Sequence, residues 1–322
     1  MNRPDVARVL RASHEHYTLF VSGEELPATL SGKLRMESPI LPATGDWVEL
    51  KPGTNVIERI LPRRTQFSRR ACGEATSEQV LAVNIDIVFL VSGLDADYNP
   101  RRLERYLLLV HESGASPVIV LNKADVCADL GPILNEVRSI AAGAPVLVIS
   151  ALLGTAIEQL PDLLSAGETA ALIGSSGVGK STIVNRLLGH DALRTNAVRE
   201  SDSRGRHTTT ERELILMPGG WWLMDMPGLR EVQLWASPEA LETSFADIAE
   251  LASKCRFRDC THHDEPGCAV RDEVSAARLH SFHKLRKELD YLVRQTDVNA
   301  AQAEKRRWKQ IHKAMRHVNK RA

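Results

Sequence analysis

The stretch LIGSSGVGKST at residues 172–182 constrains the fold more than any other part of the chain. It satisfies G-x-x-x-x-G-K-[ST] with Gly174, Gly179, Lys180 and Ser181. An apolar run, AALIG, precedes it, and a helix-like run, GKSTIVNRLLG, follows. Glycines let backbone N–H groups turn inward onto phosphate oxygens, the lysine reaches the terminal phosphates, and the serine hydroxyl is placed for Mg²⁺. The candidate cradle is therefore Gly174, Ser175, Ser176, Gly177, Val178, Gly179, Lys180, Ser181 and Thr182. Such a loop belongs at the carboxyl edge of a parallel sheet, between a buried strand and a helix.

The surrounding sequence has that texture. From about residue 80, LAVNIDIVFLVSG reads as one buried strand, and NPRRLERYLLLVHESG as a helix capped by Asn99, started by Pro100 and stopped by Gly114. Strand PVIVLN, helix LGPILNEVRSIAA, strand PVLVIS, a helix near 155–164, then ELILMP and WWLMD continue the alternation. This predicts an α/β domain with a parallel sheet covered on both faces.

Three further segments fit one ligand. Asn122, Lys123, Ala124 and Asp125 follow a buried strand. An aspartate there accepts from guanine N1–H and the exocyclic amine, a donor pair that adenine lacks. Asn122 ties the loop down and the Lys123 stem packs on the base. Ser150 and Ala151 end the next strand, where an amide meets guanine O6. Asp225 and Gly228 form D-x-x-G after a strand, suited to Mg²⁺ and the γ-phosphate. Between the phosphate-loop helix and that strand, RGRHTTT (204–210) is a candidate switch segment. Leu229 stands where many GTPases place a water-orienting glutamine, which leaves His207 as the nearest candidate for that role. The base reader precedes the phosphate cradle in the chain, the reverse of the usual order. An ATPase or kinase, or a binding protein whose affinity nucleotide only tunes, are the competing readings.

Residues 17–61 carry short alternating runs with Gly and Pro about every ten residues, the pattern of a small five-stranded barrel of the oligonucleotide-binding (OB) type. Near the other end, CRFRDCTHHDEPGC holds Cys255, Cys260, His262, His263 and Cys268. Three thiolates and one imidazole make a closed tetrahedral zinc site, and chemistry alone leaves His262 and His263 as alternatives. His280 and His283 on the next helix read as surface positions, and Cys72 and Cys127 as ordinary residues. The 322 residues carry no net formal charge, but the last twenty hold eight Lys and Arg against Glu304 alone, and RRTQFSRR spans Arg63–Arg70. Clusters like these attract phosphate backbones. No apolar run approaches a bilayer span and the start has no signal-peptide core, so a cytosolic protein is expected.

This set of motifs, in this order, resembles the ribosome small subunit-dependent GTPase A (RsgA, also called YjeQ) family of circularly permuted GTPases. The resemblance rests on GDWV at 45–48, NKAD, SA, GSSGVGKST, GRHTTT, DMPG, the CRFRDCTHHDEPGC segment and the basic tail. It implies an OB-fold-like barrel over 1–70, a circularly permuted GTPase domain over 71–233, and a helical zinc-binding domain over 234–322. It further implies GTP hydrolysis stimulated by the 30S subunit during its late assembly, with 16S rRNA contacted through the barrel and zinc domains. Carried over by motif, the zinc ligands are Cys255, Cys260, His262 and Cys268. His207 is the proposed catalytic residue, and Thr209 joins Ser181 and Asp225 at Mg²⁺. A monomer is expected. Met226 departs from the small Ser or Thr more usual before that proline, at a position that contributes no ligand.

Overall fold

The computed structural model of the chain describes residues 5–13, 16–38, 40–70, 78–190, 213–225 and 236–296. Five strands close a small barrel in the order β1-β2-β3-β5-β4. They are β1 (Val6–Ser13), β2 (His16–Val21), β3 (Glu24–Leu30), β4 (Trp47–Leu50) and β5 (Val56–Ile60). The β3–β5 pair is parallel and the others are antiparallel, which is the OB arrangement. Ala7, Val9, Leu19, Val48 and Ile57 fill its interior. Within the 17–61 stretch, LPATLSGKLR (26–35) is only partly strand: Ser31 caps a short helix, α1 (Gly32–Glu37), by accepting from Leu34 N.

β1 escaped the sequence reading because its pattern does not alternate. Four consecutive residues, Ala7 to Leu10, are buried. Ala7 and Val9 face the barrel core, whereas Arg8 and Leu10 face the next domain. Arg8 donates to Thr169 Oγ1 at 2.9 Å and to Asn84 O at 3.2 Å, and stacks over Trp47. Burial draws its pKa down to about 10, so it stays cationic. Phe20 meets Trp222 edge to face across the same junction.

The apolar run that read as a single strand over 81–93 is two. β7 (Glu78–Val83) pairs antiparallel with β6 (Gln66–Arg70), and β8 (Ile87–Gly93) belongs to the main sheet. Asn84 breaks the run in a left-handed conformation (φ 55°), a state that asparagine tolerates. Its side chain accepts from Arg64 N and donates to Gly45 O, so the break is also the seam between barrel and sheet.

The main sheet has the order β10-β9-β8-β11-β13-β12. Here β9 is Ser116–Asn122, β10 Val146–Val148, β11 Thr169–Ile173, β12 Glu213–Leu216 and β13 Trp222–Asp225. All pairs are parallel except the edge pair β12–β13, where the short Met217–Trp221 connection allows only a hairpin. On the faces lie α2 (Pro100–Ser113), α3 (Gly131–Ile140) and α4 (Lys180–Leu188). Asn99, Pro100 and Gly114 bound α2 as expected, Gly114 at φ 80°. The helix expected over 155–164 is instead two 3₁₀ turns, Ile157–Gln159 and Pro161–Leu163, because Pro161 cannot continue the first.

The C-terminal module comprises α5 (Pro238–Ser244), α6 (Ala246–Ala252), α7 (Ala269–Glu273) and α8 (Ala276–Thr296). α8 lies on α2 and α5 through Phe282 on Phe245 and a buried ionic cluster. Arg278 reaches Glu104 of α2 at 2.9 Å and Asp247 of α6 at 2.6 Å, and Glu104 also pairs with Arg101. No helix of the described residues is long and apolar enough to cross a membrane.

Candidate nucleotide site and metal cluster

β8 sits at the point where the strand order reverses: β9 and β10 extend to one side, β11 and β13 to the other. In open α/β sheets the ligand crevice lies at that point, beyond the carboxyl ends of the strands. The loop after β8, the NKAD loop after β9, the SA loop after β10 and the cradle after β11 all emerge at this edge.

Asn122 ties three of these loops together. It is buried, donates from Nδ2 to Val178 O in the cradle at 2.7 Å, and accepts at Oδ1 from Ala151 N at 2.9 Å. Nearby glycines are needed for shape. A Cβ at 179 would lie 2.3 Å from Asn122 Nδ2, and φ is +97° there. A Cβ at 174 would lie 2.3 Å from Val91 O. Gly179 also caps α4, so the helix starts directly beneath the cradle with its free amides facing the crevice. Lys180 Nζ donates to Gly174 O and Ser175 O, at 2.7 and 2.6 Å.

The base-reading end is equally ordered. Lys123 takes a left-handed conformation (φ 65°) that leaves Asp125 exposed at the start of a 3₁₀ turn. Ser150 Oγ donates to Asp125 Oδ1 at 2.5 Å and itself accepts from Leu153 N. This aims a fixed carboxylate outward, the acceptor that guanine's N1–H and exocyclic amine complement and adenine does not, while the Ala151 amide expected to meet O6 instead donates to Asn122 Oδ1.

Two carboxylates of the loop after β8 were missed in the sequence. Asp95 Oδ2 accepts from Lys123 Nζ at 2.5 Å, and Asp97 Oδ2 accepts from Ser175 Oγ. Asp97 is also paired with Arg102 at 2.9 Å. Burial pushes the Asp95 carboxyl up, but the bonds from Lys123 and the Asp97 amide outweigh it and hold the group below the ordinary range. The sequence signal was slight: a Gly-Leu-Asp-Ala-Asp turn before a capped helix.

Asp225 closes β13, opposite Glu213 in the register. His207, Thr209 and Gly228 lie outside the described residues, as do Cys72 and the basic tail.

In the C-terminal module, one ligand atom each from Cys255, Cys260, His262 and Cys268 falls within 4.8 Å of the others. His262 Nδ1 lies 3.7 Å from Cys255 Sγ and 3.5 Å from Cys268 Sγ, and these two sulfurs are 4.0 Å apart. Those separations match the edges of a tetrahedron with Zn–S of about 2.3 Å and Zn–N of about 2.0 Å. The four residues can therefore hold one metal ion. His262 sits at φ 63°, which turns its ring inward. His263 is exposed and stacks on His283 instead, so the fold distinguishes the two adjacent histidines. Burial raises the Cys255 thiol, but amides of Val270 and Ala269 in α7 donate to it, and the net effect lowers it. Such N–H···S bonds favour the thiolate that a metal needs.

The chain's relatives agree with one another. A family model described as RsgA GTPase matches residues 60–235. The small ribosomal subunit biogenesis GTPase RsgA of Opitutus terrae is 47% identical, covering 94% of this chain and 89% of that protein. The protein of the same name from Methanosarcina acetivorans is 42% identical, over 94% of this chain and 85% of its own length. Among solved structures, YjeQ from Thermotoga maritima superposes with a TM-score of 0.66 at 26% identity, covering 90% of this chain and 99% of that one. YloQ, described as a circularly permuted GTPase, shares the fold with a TM-score of 0.61 at 22% identity, over 89% of this chain and 95% of its own.

Proposed function

The chain belongs to the RsgA GTPase family and hydrolyses GTP, and from that premise we propose that it acts in biogenesis of the small ribosomal subunit, as its relatives' names state. In our reading the 30S subunit stimulates hydrolysis, and the barrel and the C-terminal module contact 16S rRNA. It works in the cytoplasm as a monomer. The observation that carries the nucleotide part is the bridge at Asn122, which holds the base-reading and phosphate loops in one arrangement although they are 56 residues apart.

Each residue has a separate task. Asp125 accepts from guanine and Ser150 fixes Asp125 in place, while the Ala151 amide, held by Asn122 Oδ1, has to turn to guanine O6 as the base enters. Lys123 packs its stem on the base while Asp95 holds its ammonium. Amides from Gly174 to Thr182, with Lys180, take the phosphates and stabilise charge on the transferring phosphoryl group. Ser181, Thr209 and Asp225 are the candidates to hold Mg²⁺, which when bound neutralises charge between the β- and γ-phosphates. His207 orients the attacking water in place of the missing glutamine. Cys255, Cys260, His262 and Cys268 hold a structural zinc, since all four positions are taken by protein.

The deciding experiment is GTP turnover with and without purified 30S subunits. The reading requires a large rise in turnover on adding subunits; equal turnover in both conditions would refute the coupling. In parallel, His207→Ala should bind GTP and subunits normally but lose stimulated turnover. Full stimulated turnover in that variant would remove His207 from the chemistry.

A further inference from the structure

Next to the metal cluster, outside the nucleotide site, is a cavity of about 640 Å³ between the His262–Arg271 segment and α8. That volume is in the range of pockets that hold whole small molecules, roughly 300–1,000 Å³. Three features define what it fits. Its floor is apolar, from Val274 and Leu279. One wall is an aromatic pair: the rings of His263 and His283 stack with centroids 4.0 Å apart and planes within 15°. Its charged lining is entirely cationic, Arg271, Lys284 and Lys287, with no carboxylate among the described lining residues. Arg271 is loosely matched by Asp272 at 3.8 Å, whereas Lys284 and Lys287 are exposed and have no ion pair among the described residues.

These positions are set by the helix repeat. Leu279, His283 and Lys287 are spaced by four along α8, and Lys284 lies three before Lys287, so floor, ring and cations share one face. Exposed lysines unpaired beside an apolar, ring-lined cavity do not serve stability. Apolar floor, flat ring and paired cations are what an unpaired nucleotide presents surfaces for: a base to stack and phosphates to neutralise. An acidic peptide would use the cations but not the flat ring wall.

We propose that this cavity binds one unpaired nucleotide of an RNA strand, its base against the His263–His283 ring pair and the apolar floor and its flanking phosphates on Lys284 and Lys287. This rests on the reading above that the chain works on an RNA-containing particle, and it names the place and the form of RNA that the C-terminal module takes.

The test uses the full chain, with zinc content checked for every variant, and fluorescent hexauridylate as the probe. The double variant Lys284→Gln/Lys287→Gln should bind it about tenfold more weakly. The slope of log affinity against log salt should shrink by about 1.4, at about 0.7 per lost single-strand phosphate contact. An abasic hexamer should bind the native chain about tenfold more weakly than hexauridylate with an unchanged salt slope, as expected for one lost base stack. His283→Ala should lose the base-dependent part and His283→Phe should retain it. The proposal fails if the double variant keeps the native affinity and slope, if the abasic strand binds as well as hexauridylate, or if a polyglutamate peptide of equal charge binds more tightly. 30S-stimulated GTP turnover separates this from the wider reading. If subunits stimulate the native chain but the lysine variant keeps its RNA affinity, only the cavity assignment falls. If they do not stimulate the native chain, the functional reading falls whatever the cavity binds.

Discussion

Replacing Asn122 with alanine removes one small side chain and should disconnect three loops. Two hydrogen bonds disappear, to Val178 O at 2.7 Å and from Ala151 N at 2.9 Å. Both partner residues are 1% exposed, so water does not replace the lost bonds in the folded arrangement. Leaving a buried donor or acceptor unpaired costs about 1–3 kcal/mol each, so the pair is worth about 2–6 kcal/mol, centred near 4. The loops can relax toward water, which converts part of that into lost order and leaves the nucleotide to restore it on binding. If half falls on each, GTP affinity drops by about thirtyfold, at 1.4 kcal/mol per decade. The melting temperature then falls by about 4–8 °C, at roughly 2–4 °C per kcal/mol. Calorimetric titration with GTP and ATP, alongside thermal unfolding, measures both. Asn122→Asp sharpens the test because it keeps the acceptor for Ala151 N and replaces the donor to Val178 O with an oxygen. It should lose affinity while keeping guanine over adenine, whereas Asn122→Ala should lose some of both. An alanine variant within about threefold of native GTP affinity and within a degree of native melting would refute the bridge as the organiser of the site.

The other predictions concern three separate features. Asp97→Asn keeps an acceptor for Ser175 but removes the charge paired with Arg102, so GDP should bind more tightly once a carboxylate no longer faces the phosphates; titration calorimetry decides, and weaker binding would contradict it. Arg278→Met leaves Glu104, 1% exposed, with Arg101 alone and should cost about 3–5 kcal/mol, measured by urea unfolding. Adding Glu104→Gln should recover much of that loss, and strictly additive effects would argue against a shared buried cluster. Ser244 donates its hydroxyl to Ala240 O, which leaves its oxygen to accept from His111 Nδ1. Burial lowers the His111 pKa below 6.5. A depressed value contributes stability above the unfolded pKa that is lost as pH falls through the folded one, so unfolding free energy should decline below about pH 6.5. His111→Asn should flatten that decline, and an unchanged slope would exclude His111 as its source.

The candidate nucleotide loops stand out in the sequence because each is a short run whose chemistry is complete within itself. GSSGVGKS needs only its own glycines and lysine, and the metal set lies within fourteen residues. What the sequence concealed was pairing over distance. Asp95 and Asp97 look like turn residues, since their partners stand 28 and 78 residues away. Arg8 looks like a solvated charge on an N-terminal segment, yet it reaches Thr169 across the barrel seam, 161 residues on. The run through residues 81–93 could not show its break, because Asn84 interrupts it for contacts with Gly45 and Arg64 that belong to the fold and not to the local pattern. Leu229 marked the absence of a usual group, but a local sequence cannot show which residue takes over its task.

The reversed order of base reader and cradle acquires a structural meaning from α2. Parallel strands bring their loops to one edge whatever their order in the chain, so permutation leaves the site intact. What permutation alters is which elements join the site to its neighbours. The loop after β8 places Asp97 on the cradle residue Ser175, and Arg102, in the first turn of α2, on Asp97. Two residues on, Glu104 of the same helix receives Arg278 from α8, and the adjacent Arg105 pairs with Glu288. A single helix thus reaches the candidate cradle through Asp97 at its start and packs on the module with the Cys/His cluster farther along. Ser175, Asp97, Arg102, Glu104 and Arg278 therefore lie along one chain of contacts and helix that runs from the candidate cradle to α8. The Glu104→Gln/Arg278→Met double replacement tests that connection: it touches none of the candidate nucleotide residues, so GTP turnover of the isolated chain that changes in this variant, with GTP affinity unchanged, would support coupling through α2, and unchanged turnover would refute it.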